Sequence, residues 1–490
     1  MTYKAKLNWK DLVEKRDHAG ISRRDLLARG MATGFITAAL PPALLSLIGG
    51  RAESAMLTCP PATRAAGAIA QIYAEGGPTM GARFIGEDQA ALMNATVAAN
   101  YGISGTNLLK LGSNLVIDTT SPFGATIMQG PPGWVGGSTD WQTKVLSKIS
   151  GGGHRGPFNA DDGAGSNTGL LGGVASFKNT QLGKDLQISV SNKMANWATG
   201  IAASSISRNS LTPAGLSTLF SVAPSANGLV TSQSMTDASN AAIDIAAALS
   251  NTFGHSTRNG ATTLANSTGC ALYGNSALVD PAFGSSLFTA TGISALSALF
   301  TVSDLSTAEQ ALLASYYQSA SGVIGGVVLQ LGGRDYHGQN PQTVIAPADI
   351  EEARAIVMFL AACYAANAPG SFLYFSNGQA VASGVQAVTA TIGNTTATIN
   401  APVARGDAGG SYNAGLVIFF NPAGPGPAAL FTGTIAANSG NAKTATTIQS
   451  SQAAVSGLYL SALKWINGGT DPTAAATAMN IQNLADVMVL

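Results

Sequence analysis

The chain of 490 residues carries little charge: Lys and Arg supply 25 residues, Asp and Glu another 25, and together they make up 10% of the sequence. About a quarter is usual for a globular domain, so Ser, Thr, Asn, Gln and Gly must provide most of the polar surface. There is no basic excess with which to neutralise phosphates, so nucleic acid is not an expected partner. Hydrophobic residues make up 46%, enough for a sizeable core, which separates the chain from charge-rich disordered sequences.

Cysteine is also scarce. Cys59, Cys270 and Cys363 lie too far apart to form a C-x-x-C metal knuckle or redox pair. In an exported chain three cysteines permit one disulfide and one thiol, and their pairing stays open. Cys363 lies in an apolar helical pattern and is predicted to be a small core residue. The chain has no Walker loop and no G-x-G-x-x-G after a strand, so no nucleotide cofactor is expected.

Residues 1–52 have the pattern of a removable export signal. Ser22-Arg23-Arg24-Asp25-Leu26-Leu27 matches the twin-arginine motif, and an apolar run from Met31 to Gly49 follows it. Pro41-Pro42 interrupts that run, so a membrane-spanning helix is a poor interpretation. We therefore expect export by the twin-arginine translocase to the periplasm, or beyond it to the cell surface or medium. Removal of residues 1–52 leaves 16 basic and 21 acidic residues, a net charge of −5, although the cleavage position stays open.

Residues 53–490 alternate short apolar strand patterns with helical ones. Ala68–Ala74 and Val323–Leu331 are apolar on both faces, as strands inside a helix-covered sheet are. A helix from Pro347 to Ala366 and a strand at Phe372–Phe375 follow the second of these. Strand, helix and strand in this order predict a mostly parallel central sheet flanked by helices. Val385–Asn400 alternates around Gly393-Asn394 and predicts a hairpin.

The pattern predicts one α/β domain over 53–490. Within it, residues 196–319 are rich in Ser, Ala and Thr at helical spacing and predict a helical insertion or cap. A single helix is expected over Glu87–Ala99 and another over Ala475–Leu490. The glycine-rich segment Gly151-Gly152-Gly153-His154 is expected to be a surface loop.

A short Asp-x-His motif lies just past the carboxyl end of the predicted strand Val323–Leu331, in Gly332-Gly333-Arg334-Asp335-Tyr336-His337. Ligands bind at this edge of open parallel sheets. A carboxylate and an imidazole two residues apart can reach one cation. By itself the motif is weak, because the Asp could equally cap the turn while the His bonds to backbone.

Residues 321–366 resemble a mostly uncharacterised family of twin-arginine-exported proteins that is related to sulfatases and alkaline phosphatase. The similarity lies in the Gly-Gly-x-Asp-x-His loop and in the Ala-x-Ala-Ile helix pattern that follows it. Glu75-Gly76-Gly77-Pro78-Thr79 is similar to the end of the family's first strand. The resemblance implies an alkaline-phosphatase-like three-layer sandwich with a metal site at the strand ends.

The sequence departs from that family at several positions. Met80-Gly81-Ala82-Arg83 stands where the family has an acid, and Ala408 follows Asp407 where the family has His. The resemblance therefore implies a reduced site made of Asp335, His337 and Asp407, with Glu75 as a substitute. Such a set could hold one zinc, calcium or manganese ion.

Two functions remain open at this stage. The absent ligands favour a non-catalytic role, structural or binding, with partners in an envelope or secreted assembly. The alternative is a divalent-metal-dependent hydrolase of sulfate or phosphate esters, with the hydroxyl of Thr79 or Ser166 as the nucleophile. Ser166 shares its segment with His154-Arg155 and Asp161-Asp162, which we interpret as a polar surface connection.

Overall fold

The structure is a computed structural model. It describes residues 67–74, 76–156, 187–189, 293–321, 326–376, 378–407, 413–439, 441–443, 445–448, 451–469, 471–478, 481 and 483–490. All of them belong to one compact unit, Ser46–Leu490. The predicted signal at 1–52 lies outside the described residues, as does most of the predicted insertion at 196–319.

The described strands are β1 (Ala68–Ala74), β2 (Ile85–Gly86), β3 (Leu108–Leu111), β4 (Leu115–Asp118), β5 (Ile149–Arg155), β6 (Gln187–Ser189), β7 (Gly326–Leu331), β8 (Gly370–Ser376), β9 (Ala380–Ile392), β10 (Thr395–Asp407), β11 (Asn413–Phe420), β12 (Phe431–Thr432), β13 (Thr434–Ile435) and β14 (Ala442–Lys443). The described α-helices are α1 (Glu87–Ala91), α2 (Ala95–Tyr101), α3 (Pro122–Gln129), α4 (Gly137–Lys144), α5 (Ser294–Ser297), α6 (Thr307–Ala320), α7 (Ala346–Ala365), α8 (Ser451–Ile466), α9 (Thr473–Ala478) and α10 (Leu484–Val487).

Seven strands form the central sheet in the order β12-β5-β11-β8-β1-β7-β6. β1 pairs in parallel with both β7 and β8, whereas β11 is antiparallel to β8 and to β5. All strands of this sheet except β11 therefore run in one direction. The prediction of a mostly parallel central sheet is confirmed. β7, α7 and β8 form the expected strand–helix–strand unit, with β1 between its two strands.

Helices cover both faces of this sheet because its central strands are apolar on both sides. On one face, Tyr73 of β1 and Phe375 of β8 pack in a buried cluster with Tyr459 of α8. On the other face, Phe372 of β8 meets the ring of Phe359 of α7, with ring centroids 5.1 Å apart. α6 lies beside α7 on this second face. Within the described residues no helix is both long and apolar enough to cross a membrane.

β5 corrects one prediction, since the expected glycine-rich loop at Gly151–His154 is a buried strand between β11 and β12. Neighbouring groups come too close there for side chains. A Cβ at Gly151 would lie 2.7 Å from Leu115, and one at Gly152 would lie 2.6 Å from the carbonyl oxygen of Leu430. The glycines therefore serve close packing in a strand and not a turn.

Two expected helices are also wrong in their extent. The helix predicted over 87–99 is two short helices, because Asn94 begins α2 by accepting hydrogen bonds from the backbone N–H groups of Thr96 and Val97. The helix predicted over 475–490 is α9 and α10 followed by extended chain. There the backbone N–H of Val489 donates to Ser461 and its carbonyl accepts from Leu430, which holds the segment in the core instead of in a helix.

Two smaller predictions hold. The hairpin is confirmed and is longer than expected, since β9 and β10 pair antiparallel from Ala380 to Asp407 around the turn Gly393-Asn394. Cys363 is fully buried on α7, as predicted. Cys59 and Cys270 lie outside the described residues.

Candidate functional site

The carboxyl ends of β1, β7 and β8 meet at one edge of the sheet. The backbone N–H of Tyr336, after β7, donates to the carbonyl of Gly77, after β1, at 3.2 Å. The N–H of Ala380, after β8, donates to the carbonyl of Pro78 at 3.1 Å. Residues 76–79, 332–340 and 378–380 are therefore neighbours, and we call them the strand-end site. The sequence predicted a ligand site at this same edge of the sheet.

The Gly76-Gly77 turn allows the loop after β7 to approach β1 closely. Gly76 has a φ of +129°, a conformation that side chains disfavour, and a Cβ there would lie 2.2 Å from the backbone nitrogen of Asp335. A Cβ at Gly77 would lie 2.6 Å from the His337 ring. Both glycines are thus required for the packing that brings the first turn beside Asp335 and His337.

Asp335 and His337 form a pair on the surface of the site. The backbone N–H of His337 donates to the Asp335 carboxylate at 3.2 Å, and the Nδ1 atom of His337 contacts the same oxygen. The hydrogen bonds from His337 lower the pKa of Asp335 below its ordinary value. The Asp335 side chain is 65% exposed and that of His337 is 30% exposed. Solvent therefore reaches the Asp335 carboxylate, whereas the Nε2 atom of His337 is buried.

Side chains alternate along this loop, so that Arg334 and Tyr336, on either side of Asp335, point inward. Arg334 donates from Nε to Glu352 at 3.1 Å and from Nη1 to the carbonyl of Gly332 at 2.7 Å. The hydroxyl of Tyr336 is fully buried and donates to Asp349 at 2.6 Å. Glu352 and Asp349 lie on α7, so the inward side chains fix to that helix the segment that carries Asp335 and His337.

Arg83 completes a buried ion network beneath the loop, made of Arg83, Arg334, Asp349 and Glu352. Its guanidinium donates from Nε to Glu352 at 2.9 Å and from Nη2 to Asp349 at 2.7 Å, and all three side chains are fully buried. The hydroxyl of Tyr374 donates a further hydrogen bond to Glu352 at 2.6 Å. The two arginines balance the two buried acids, and Arg334 is also paired with Glu351, whose side chain is 61% exposed.

The network has consequences for the protonation of its members. Burial raises the pKa of Asp349 to about 6, although Arg83 opposes that shift. Burial also works against the charge on Arg83, but Asp349 and Glu352 outweigh it and raise its pKa. The two acids are held by arginine and tyrosine donors, which leaves them poorly placed to serve as metal ligands.

The other predicted site residues are distributed as follows. Thr79 lies in the strand-end site at the start of a 3₁₀ turn (Met80–Ala82), fully buried, and its hydroxyl has no hydrogen-bond partner among the described residues. The backbone of Asp407 pairs with Ala380, so β10 brings it to the same edge. Glu75, Ser166 and the side chain of Asp407 lie outside what the structure describes, as do Ser22, Arg23, Arg24, Leu26 and Leu27 of the signal motif.

In the described part of the chain no group of three or more His, Cys, Asp or Glu side chains is arranged to hold a metal ion. Asp335 and His337 supply two metal ligands, which are too few for a site that holds two metal ions. His154, in contrast, is buried in β5 and accepts or donates a hydrogen bond with Thr432 at 2.7 Å. His255 lies outside the described residues.

Reading the sequence did not identify Arg83, Arg334, Asp349 and Glu352 as one cluster. Asp349 and Glu352 lie near the start of the helix predicted from Pro347, and Arg83 was interpreted as a departure from the family pattern. The scarcity of charged residues was the available signal. A charged side chain that stands in an apolar stretch of sequence is a candidate for burial, and a buried charge needs a partner.

A cleft of about 510 Å³ lies beside the strand-end site, between α2 and the first residues of β9. Its walls are small side chains with one cation, Arg405, and they comprise Ala95, Thr96, Ala99, Asn100, Val381, Ala382, Ser383 and Arg405. Ala382 is two residues along β9 from Ala380, so the cleft adjoins the edge where β1 and β8 end.

Comparison with known proteins gives no match to any family model, curated protein or solved structure.

Proposed function

We propose that this chain is an exported cell-envelope protein with an alkaline-phosphatase-like sandwich and a reduced strand-end site, used for binding and not for ester hydrolysis. The observation that carries the proposal is the buried ion network. Asp349 and Glu352 are bonded to Arg83 and Arg334. Asp335 remains as the exposed acid of the site, paired with the half-buried ring of His337.

The rest of the strand-end site supports binding over catalysis. A phosphatase or sulfatase needs several ligands to hold metal and to offset the charge of its substrate. The fully buried Thr79 hydroxyl is out of reach of a substrate at the surface. The adjoining cleft, with Arg405 as its cation, offers a surface for an envelope partner next to Asp335 and His337.

The export proposal rests on the sequence. Ser22-Arg23-Arg24 and the apolar run after it are the parts that the twin-arginine translocase requires. A Ser- and Thr-rich surface with few charges suits an envelope or extracellular assembly, since few charges must lose water at a contact.

One observation supports the alternative function, a metal-dependent hydrolase. β10 places the backbone of Asp407 at the strand-end site, and Glu75 precedes Gly76 there. Asp407 or Glu75 could complete a single-metal site with Asp335 and His337. One zinc, calcium or manganese ion would then serve a hydrolase of sulfate or phosphate esters.

One experiment separates the two functions. The protein is purified after its own export, and its metal content is measured by elemental mass spectrometry. Hydrolysis of p-nitrophenyl phosphate and p-nitrophenyl sulfate is measured on the same samples. The double variant Asp335→Asn/His337→Gln is compared with Asp304→Asn, which removes an exposed acid from another segment.

We expect no hydrolysis by the wild type above that of the double variant, with or without added zinc, calcium or manganese. Hydrolysis that the double variant loses and Asp304→Asn keeps would overturn the binding proposal and establish the hydrolase. A bound metal without hydrolysis agrees with a binding role at Asp335 and His337.

A further inference from the structure

The hairpin of β9 and β10 shows which of its backbone groups face outward. The N–H of Thr389 donates to the Gln342 side chain at 2.9 Å, and its carbonyl accepts from the same amide at 2.5 Å. Both backbone groups of Thr389 therefore point away from β10, on the outer side of β9. In an antiparallel pair, alternate residues face inward and outward together. Thr389 pairs with Thr398 and Thr391 pairs with Thr396, so these residues too direct their backbone groups outward.

β10 gives the same assignment independently. Asn400, two residues from Thr398, donates its backbone N–H to the carbonyl of Thr120 at 2.8 Å, away from β9. Pro402, two residues further, has no N–H and is tolerated only where none is needed by the ladder. The outward positions of β10 are therefore 396, 398, 400 and 402.

Protection of the outer edge of β10 stops halfway along the strand. Thr120 covers Asn400, Pro402 lacks a donor, and the ladder is irregular between Pro402 and Asp407. Toward the turn, no hydrogen bond from the described residues reaches the backbone of Thr396 or Thr398. Both side chains are exposed, and Thr396 meets Thr391 across the ribbon at 3.2 Å between hydroxyl oxygens.

Charge does not protect this edge either. No residue from 355 to 404 is Asp, Glu, Lys or Arg. Proteins usually block an open edge strand with a charge, a proline, a bulge or a covering element, because its free donors and acceptors pair with other strands. Within the described residues, the β10 edge has such features at 400–407, whereas at 396–398 it has no charge, no proline and no backbone hydrogen bond to a covering element.

We propose that the exposed edge at Thr396 and Thr398 pairs with the same edge of a second copy of this chain. In a two-fold antiparallel pairing centred on Ala397, Thr396 faces Thr398 of the partner subunit and the reverse. Each facing pair exchanges two hydrogen bonds, about four in all. Any wider overlap would meet Asn400, which Thr120 already occupies, so the pairing is confined to this stretch.

A second copy suits this edge better than an unrelated strand. The stretch is self-complementary, because its two donors and two acceptors repeat in matching order after a two-fold rotation. Both sides are uncharged, so pairing buries no ion and brings no like charges together. The contact is small beside a stable dimer interface, so association depends on protein concentration.

The test compares two proline variants that are matched by design. Thr398→Pro removes an outward N–H of β10, and Ala387→Pro removes an outward N–H of β9, opposite Asn400. Neither change removes a hydrogen bond between β9 and β10, and Pro402 shows that an outward position of β10 accepts proline. Far-ultraviolet circular dichroism and thermal melting establish that both variants are folded.

Sedimentation equilibrium is run on the exported protein between about 1 µM and 1 mM, the range in which weak association is measurable. We expect a monomer–dimer equilibrium that Thr398→Pro weakens at least about tenfold and Ala387→Pro changes less than about twofold. Hydrogen exchange at the Thr396 and Thr398 amides should slow at the higher concentration. A monomeric wild type, equal effects of the two prolines, or unchanged exchange at these amides would each overturn the proposal.

Discussion

At the scale of single residues, Asp349 illustrates how burial changes a common acid. Its carboxylate is fully enclosed, accepts from Arg83 and Tyr336, and faces Glu352 across the same guanidinium. A buried ion pair of this kind gains little stability over an apolar pair, but the loss of one partner leaves a charge without compensation. The network is therefore better understood as fixing the loop that carries Asp335 and His337.

The first prediction concerns the pH dependence that Asp349 confers. Its pKa of about 6 in the folded chain lies above the value of about 4 expected when unfolded. The folded state thus binds this proton more tightly. The stabilisation is fully present below about pH 4 and is lost as the pH rises through about 6, a change of about 3 kcal/mol.

Asp349→Asn keeps the size and hydrogen-bonding shape of the protonated acid and cannot ionise. Compared with the wild type, it should therefore become relatively more stable as the pH rises from 4 to 7. Urea unfolding at a series of pH values measures the difference, and Asp304→Asn at an exposed position is the control. If the difference in unfolding free energy between Asp349→Asn and the wild type is independent of pH, the pKa of Asp349 is not raised.

At the scale of elements, the strands and helices that the sequence predicted well share strong periodicity. β1, β7 and β8 are apolar over most of their length and α7 is apolar from Ala355 to Cys363. Turn or capping residues stand at their ends, so pattern alone places them. β5 was missed because Gly151-Gly152-Gly153 has the composition of a turn. Its strand conformation depends on Leu115, Leu430 and Gly415, which reach it from other parts of the chain.

That interpretation of β5 yields the second prediction. A Cβ at Gly152 would lie 2.6 Å from the backbone oxygen of Leu430, which belongs to the segment before β12 and cannot rotate away. Gly152→Ala should therefore cost about 1–3 kcal/mol, the usual penalty for overpacking.

Gly406→Ala in β10 is the matched control, because a Cβ there meets no atom within 4 Å and its φ is not in the left-handed range. It should leave the unfolding free energy within about 0.5 kcal/mol. Thermal and urea unfolding measure both variants. Equal effects would show that Gly152 is not closely packed.

The strand-end site was predictable in its position but not in its composition. A sheet edge and an Asp-x-His loop after β7 are visible in the sequence, and the structure brings that loop against Gly76-Gly77. The clustering of Arg83 with Asp349 and Glu352 was not visible. Arg83 is more than 260 residues from both acids in sequence, and only the tertiary fold makes them neighbours.

At the scale of the whole molecule, the low charge of the chain limits how its stability can respond to acid. Among the described residues few acids and histidines change their pKa strongly on folding, so each one that does has a visible effect on stability. Burial lowers the pKa of His154 in β5 to about 4, from an ordinary value of 6.5. Asp349 shifts in the opposite direction for the same reason, since burial disfavours the charged form of both.

The last prediction follows from these two opposed shifts. The unfolded chain binds a proton at His154 below about pH 6.5, whereas the folded chain does not until about pH 4. His154 therefore removes about 3 kcal/mol of stability as the pH falls across that window. Asp349 adds a similar amount between about pH 6 and 4, so the two contributions nearly cancel in the wild type.

His154→Asn keeps a polar side chain next to Thr432 and does not titrate. Its unfolding free energy should rise as the pH falls from 6.5 to 4, whereas that of Asp349→Asn should fall. Equilibrium unfolding of the two variants and the wild type, at several pH values in one buffer series, measures the three slopes. Slopes of the same sign in both variants would contradict the opposed shifts, and with them the burial of one of these two groups.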